Sequence, residues 1–180
     1  TGLANRALLH DRAEQAVLQA QRSGRKVAAL LLDLDDFKLI NDTWGHAVGD
    51  LLVQHVAQCL TAVVREGDTV ARFGGDEFVV LLPDMDERGD TSMIALAISS
   101  ALSKPFTTDS LCIQVGVSCG IAVYPDDAVN VDGLFRAADA AMYRAKQRSR
   151  PDSETSAPGV RPGIANVPTV VAGLQQRRAN

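Results

Sequence analysis

Residues Phe73-Gly74-Gly75-Asp76-Glu77-Phe78 set two glycines and two carboxylates between the strand-like runs Thr69-Val-Ala-Arg-Phe73 and Phe78-Val-Val-Leu-Leu82. A Gly-Gly pair between such runs predicts a tight β-hairpin with a primed turn, the type that needs positive φ. Asp76 and Glu77 then stand at its rim. An ordinary solvated hairpin tip shows the same pattern, so the meaning of the acids depends on what the rest of the chain brings to them.

A second acidic cluster gives them a partner. Val27-Ala-Ala-Leu-Leu-Leu32 is a continuous apolar run, read as a strand buried on both faces, and it ends in Asp33-Leu34-Asp35-Asp36. Side chains alternate along a strand, so Asp33 and Asp35 point one way and Leu34 the other. Hard oxygen donors gathered at strand ends suit magnesium or manganese. Asp35 fits two roles at this level, an acid supporting the cluster or a capping group for the following turn.

The surrounding pattern alternates helices and strands. Leu9, Ala13, Ala16, Val17 and Ala20 form one helical stripe that Gly24 ends. A short helical turn carries Phe37 to Asn41. Val48, Leu51, Leu52, Val56, Cys59, Leu60, Val63 and Val64 mark a long amphipathic helix. Asp90-Thr-Ser92 is expected to cap a helix with the stripe Met93, Ile94, Ala97, Ile98, Ala101 and Leu102, stopped before Pro105. One or two strands span Leu111 to Val123, and Val131, Leu134, Phe135, Ala138, Met142 and Ala145 define a last helix. Trp44 is expected to be a packing anchor. The reading is a layered α/β (α+β) domain over residues 1–150. From Pro151 to Asn180 the composition shifts to Pro, Ser, Gly and Ala, which predicts a flexible tail or linker with local order around Val167 to Leu174.

Composition narrows the partners. The 180 residues, 46% hydrophobic, suffice for one well-cored domain. A net charge of −4 gives no broad basic surface for a nucleic-acid polymer or an anionic membrane, whereas a mononucleotide needs only a local patch. Cys59, Cys112 and Cys119 show no metal-ligand spacing and lie in apolar segments, which predicts buried, reduced thiols in a cytosolic compartment. No apolar stretch reaches about 18 residues, so no membrane segment is expected. The chain lacks an initiator Met, which suggests a fragment from which an upstream sensory or membrane part was removed, leaving a cytoplasmic piece.

The chain resembles the GGDEF-domain diguanylate cyclases over Thr1 to Arg150. Besides Phe73 to Phe78, the resemblance is carried by Thr1-Gly-Leu-Ala-Asn5-Arg6, Asp33-Leu-Asp-Asp-Phe-Lys38, Asn41-Asp42, Gly45-His46, Gly49-Asp50, Ser118-Cys-Gly-Ile-Ala and Ala138-Asp-Ala-Ala-Met-Tyr-Arg-Ala-Lys146. Their order and spacing agree along the chain. The resemblance implies a central mixed sheet of about five strands surrounded by helices, similar to the polymerase palm and class III nucleotide cyclases. It also implies condensation of two GTP into cyclic di-GMP with release of two pyrophosphates.

The roles it implies fall on named residues. Asp33, the backbone carbonyl of Leu34, and Asp76 would bind two Mg2+ (or Mn2+) ions, and Asp76 is the first choice, Glu77 the second, for assisting deprotonation of the attacking hydroxyl. Lys38 would stabilise phosphate charge, with the amides of Asp36, Phe37 and Lys38 cradling the terminal phosphates. Lys146 and Arg150 would complete that grip, although Ser149 and Pro151 depart from the family's Gly and Asn at this ending. Asn41 and Asp50 occupy the guanine-reading positions, and His46 would support the pocket. A carboxylate accepts both N1–H and the 2-amino group of guanine, whereas adenine would present it with an acceptor.

Arg65-Glu-Gly-Asp68 stands where the family carries its RxxD product-inhibition motif, which implies an allosteric site for cyclic di-GMP. Arg136-Ala-Ala-Asp139 fits the same pattern inside a helix, so position rather than pattern carries the assignment. A symmetric product from one half-site per domain implies a homodimer. The alternative is a catalytically silent module that binds GTP or cyclic di-GMP and regulates a neighbour.

Overall fold

In chain order the elements are α1 (Arg6–Ser23), β1 (Lys26–Leu34), α2 (Phe37–Trp44), α3 (His46–Val63), β2 (Thr69–Arg72), β3 (Glu77–Met85), α4 (Arg88–Leu102), β4 (Phe106–Thr107), β5 (Cys112–Ile113), β6 (Val117–Tyr124) and α5 (Val131–Ser149). The computed structural model describes residues 1–86, 88–108 and 111–149, apart from the side chains of 88–90 and 149. The expected tail and Arg150 lie outside the described residues.

β1 organises the fold because both of its faces are apolar. It pairs antiparallel with β3 on one side and with β6 on the other, and β2 extends the sheet beyond β3, giving the order β2-β3-β1-β6. Ala28, Leu30, Leu32 and Leu34 face a core shared with α2, α3 and α4. Val27, Ala29 and Leu31 face a second core closed by α1 and α5. A strand apolar on both faces is stable only when covered on both. Leu30 and Leu32 are 0% and 1% exposed, so truncating either to Ala would cost about 2–5 kcal/mol.

Among the described residues the one parallel pairing is the bridge between Ala4 and Ala71, where the entry segment runs along the free edge of β2. Four strands plus that edge segment meet the expectation of a mixed sheet of about five, with antiparallel pairing dominant. β4 and β5 form a separate two-stranded ribbon.

α1 buries the five residues of its expected stripe. The Asn5 side chain accepts the Leu8 amide at 2.9 Å, and Gly24 closes the helix in the left-handed region. α5 packs on β6 at backbone distance: a Cβ at Gly120 would overlap the Ala138 carbonyl and the Met142 amide nitrogen. That close approach brings Lys146 over the end of β1.

Other expectations are corrected. α4 begins at Arg88, so Asp90 lies within the helix rather than capping it, and the buried side chains are Thr91, Ala95, Ile98 and Leu102, with Met93 72% exposed. Apolar residues occur around most of this helix, so their spacing alone did not fix its phase. Leu51 and Trp44 are 48% and 43% exposed, so Trp44 is not a packing anchor. Its place in the last turn of α2 leaves it at the molecular surface. Of the three free thiols Cys119 is buried, Cys59 half-buried and Cys112 exposed, because the β4–β5 ribbon has an open face. Among the described residues no helix is long and apolar enough to cross a membrane.

Candidate functional site

Strand register assembles the acids. Asp33 sits opposite Glu77 across the β1–β3 ladder and opposite Ser118 across the β1–β6 ladder. The Leu34 amide donates to the Asp76 carbonyl at 3.2 Å, tying the end of β1 to the hairpin rim.

The hairpin itself differs from the expected primed turn. Its loop runs from Phe73 to Asp76, neither Gly74 nor Gly75 lies in the left-handed region, and the amides of Phe73 and Gly74 both donate to the Glu77 carbonyl, at 2.8 and 3.3 Å. Arg72 stabilises this wider loop, with Nε donating to the Gly74 carbonyl at 3.2 Å and Nη2 to the Gly75 carbonyl at 2.7 Å. Arg6 adds a second support, its guanidinium 4.6 Å from the centroid of the Phe73 ring. Arg72 went unnoticed in the sequence because its partners are backbone carbonyls, which leave no residue-type signal.

The charges are unequal in number. Lys146 Nζ donates to Asp33 Oδ1 at 2.6 Å, and Asp33 is 8% exposed. Burial disfavours the Lys146 charge, but its bond to Asp33 and the fields of Asp33, Asp35 and Asp76 outweigh this and hold its pKa above the ordinary value. Burial pushes the Glu77 carboxyl up, and Asp33, Asp76 and Asp139 push it further. Asp35 is also raised, by burial first, while the Ser118 hydrogen bond and Lys146 pull the other way. Four acids thus face one ammonium group, an arrangement that favours recruiting further positive charge.

A divalent cation fits that demand. Among the described residues no three His, Cys, Asp or Glu side chains form a complete metal cage. The available donors are the carboxylates of Asp33 and Asp76 with the Leu34 carbonyl, and magnesium characteristically uses one or two carboxylates and takes its remaining ligands from phosphate and water. The ammonium group at Asp33 shows that this carboxylate accepts a cation where it stands.

The adjoining helices supply a second half. Asp36, in the left-handed region at φ 56°, turns the chain from β1 into α2, whose first-turn amides have no carbonyl behind them. Lys38 projects exposed from that turn. Asn41 lies across Gly49 of α3: a Cβ there would overlap Asn41 Oδ1 and meet Phe37 Cζ at 3.3 Å. Asn41 is therefore seated on α3 at Gly49, the residue before Asp50. Asp50 and His46 are both exposed.

Arg65 and Asp68 stand apart, at the opposite end of the β2–β3 pair from the hairpin loop. The Asp68 carboxylate, 0% exposed, accepts from the Arg65 amide at 3.0 Å and from Arg65 Nε at 3.1 Å. Arg65 Nη2 donates to the Pro83 carbonyl at 3.0 Å, and the side chain is 58% exposed. A cleft of about 490 Å³ between α1 and α5 has Arg6, His10, Phe73, Phe135 and Arg136 in its walls and Glu77 among its lining residues. Lys38, Asn41 and Asp50 do not line it, so it is distinct from the half-site at α2 and α3.

An antiparallel sheet wrapped by helices, with acids at a strand end facing an acidic hairpin, defines the α/β fold of GGDEF domains. The family model "Diguanylate cyclase, GGDEF domain" matches residues 1–152, and the chain belongs to that family. The GGDEF domain of TpbB from Pseudomonas aeruginosa superposes with a TM-score of 0.81 at 38% identity, covering 83% of this chain and 88% of that one. The GGDEF domain of DgcB from Caulobacter crescentus, solved in complex with c-di-GMP, has a TM-score of 0.75 at 29% identity over 83% and 86% of the two chains. By sequence, the bifunctional diguanylate cyclase/cyclic di-GMP phosphodiesterase MucR of Pseudomonas aeruginosa is 45% identical over 150 residues. The match covers 83% of this chain but 22% of MucR, and the match to full-length TpbB covers 35% of that relative.

Proposed function

We propose that this domain is a diguanylate cyclase, joining two GTP molecules into 3′,5′-cyclic di-GMP and releasing two pyrophosphates. The observation that carries the reading is the convergence of Asp33, Asp76 and Glu77 at one sheet end, beside a helix pair that presents Asn41 and Asp50. In each transfer a ribose 3′-hydroxyl attacks the α-phosphorus of the other nucleotide, so catalysis consists mainly of positioning and charge neutralisation.

Asn41 and Asp50 orient guanine, and Lys38 with the first-turn amides of α2 receives the terminal phosphates. Asp33, Asp76 and the Leu34 carbonyl hold two magnesium ions. When bound, the metal lowers the hydroxyl pKa and offsets charge on the leaving group. Asp76 accepts the hydroxyl proton, with Glu77 as the second choice. Lys146 offsets charge at Asp33, and Arg150 extends the grip on phosphate. Two domains face each other as a homodimer, because each supplies one nucleotide half-site to a symmetric product. Cyclic di-GMP binding at Arg65 and Asp68 restrains turnover, and an upstream sensory part controls the encounter of the two domains in the cytoplasm.

The test is GTP turnover with magnesium at high protein concentration, read by chromatography, with Asp76→Ala and Arg65→Ala beside it. Product should form more than linearly with protein concentration and vanish in Asp76→Ala. Arg65→Ala should stay active when cyclic di-GMP is added. GTP binding without product would favour the alternative of a silent regulatory module.

A further inference from the structure

Asp35 points to the same side of β1 as Asp33, yet it is held on the other flank of the strand from the hairpin acids. Its amide donates to the Gly116 carbonyl at 2.9 Å, and its Oδ1 accepts the Ser118 hydroxyl at 2.7 Å. Ser118 is 2% exposed, so this hydroxyl has no access to bulk water as a substitute partner. Gly116 makes the fit possible, because a Cβ there would stand 2.6 Å from Asp35 Oδ2. The residue after Asp35 is the left-handed Asp36 that starts α2. One contact from β6, one from the residue just before it and one missing Cβ therefore fix the last residue before the turn that leads into Lys38.

We infer that Ser118 is a positioning residue, which with Gly116 clamps Asp35 to β6, sets the Asp36–Lys38 turn for the terminal phosphates of a nucleoside triphosphate, and keeps one carboxylate away from them. This rests on the cyclase reading above. A charged side chain free to swing would meet the phosphates with like charge, and a loosened turn would spread the directions of the first-turn amides. Ser118 is buried with its hydroxyl turned to Asp35, so its effect passes through Asp35.

The clamp is tested on Ser118→Ala, with Ser118→Thr as the variant that keeps the hydroxyl. One readout is amide hydrogen exchange in the ligand-free domain. The other is binding of 3′-deoxy-GTP, which lacks the attacking hydroxyl, compared with GMP, which lacks the terminal phosphates, both with magnesium. Ser118→Ala should speed exchange at the Asp35 amide and weaken 3′-deoxy-GTP binding by about tenfold each, leave GMP binding unchanged, and be restored by Thr. Unchanged Asp35 exchange, or equal weakening for both nucleotides, would overturn the inference. If Ser118→Ala fails to fold, Asp35→Ala removes the same contact from a half-buried position and, because it also removes the charge, is held to the exchange outcome at residue 35 alone. A wild-type domain that binds neither nucleotide would instead overturn the cyclase reading, while the exchange result still decides the clamp.

Discussion

The two halves of the site are built from different materials. The acidic half stands on the sheet, where Asp33 is flanked by strands on both sides, buried, and bonded to a lysine from a helix that packs at backbone distance. The half at α2 and α3 stands on the meeting of two helices, where Asn41 is seated by a missing Cβ and Asp50 and His46 are exposed. On the cyclase reading proposed above, charge handling thus belongs to the rigid core, and base selection to a surface that tolerates adjustment. Substitutions in the first half should change how fast the domain works and how stable it is. Those in the second should change which nucleotide it accepts.

The strongest way to break this division is Lys146→Met. It leaves a buried carboxylate without its cation, and turnover should fall about a hundredfold. In the metal-free domain it should also cost about 1–2 kcal/mol of stability, a figure reduced because the lysine side chain is 34% exposed. Thermal melts with and without magnesium provide the check, since the ion should recover part of the loss. A variant as stable and active as the parent would show that the acidic half does not depend on the α5 contact.

A smaller effect should come from the other half. Gly49→Ala displaces Asn41, and Asp50→Asn turns one of the two carboxylate oxygens, proposed above to accept from guanine N1–H and the 2-amino group, into an amide donor. Each should raise KM for GTP about tenfold with kcat nearly unchanged, and Asp50→Asn should also narrow the preference for GTP over ITP. Steady-state kinetics with both nucleotides would read this directly. A fall in kcat without a change in KM would blur the two halves into one.

The smallest effect concerns Glu77. Its folded pKa is raised, so the folded domain binds this proton more tightly than the unfolded chain does, and stability contributed by the neutral form is lost as pH rises from its ordinary value of 4.5 through the raised value. The penalty is complete only at pH values above that raised value. Glu77→Gln should therefore raise the melting temperature of the metal-free domain by about 2 °C at pH 7 and leave it unchanged near pH 4. Its gain in stability alongside impaired catalysis would mark Glu77 as kept for chemistry rather than for folding.

What the sequence revealed follows the same division. The buried strand, the stripes of α1 and α5 and the partnership of Asp33 with the hairpin acids were legible, because burial on both faces and strand alternation leave direct residue-type patterns. The wider hairpin was not, since Arg72 acts through backbone carbonyls, and neither was the phase of α4, where apolar residues lie on too many sides. Asp35 was open between two roles until the β1–β6 register put Ser118 within reach. The seat of Asn41 on Gly49 depends on a side chain that is absent, which a one-dimensional reading records only as a glycine.

Gly120 shows how a defect can be misplaced. It lies on the strand away from the reacting groups, yet α5 rests on it with no room for even one carbon atom. Any replacement there must lift or slide the helix that delivers Lys146. Such a variant would arise in a screen for lost activity and look like damage to the chemistry, with every acid still present. Mapping loss-of-function changes onto this domain will therefore overstate the extent of its active site unless the seam between helix and strand is counted separately.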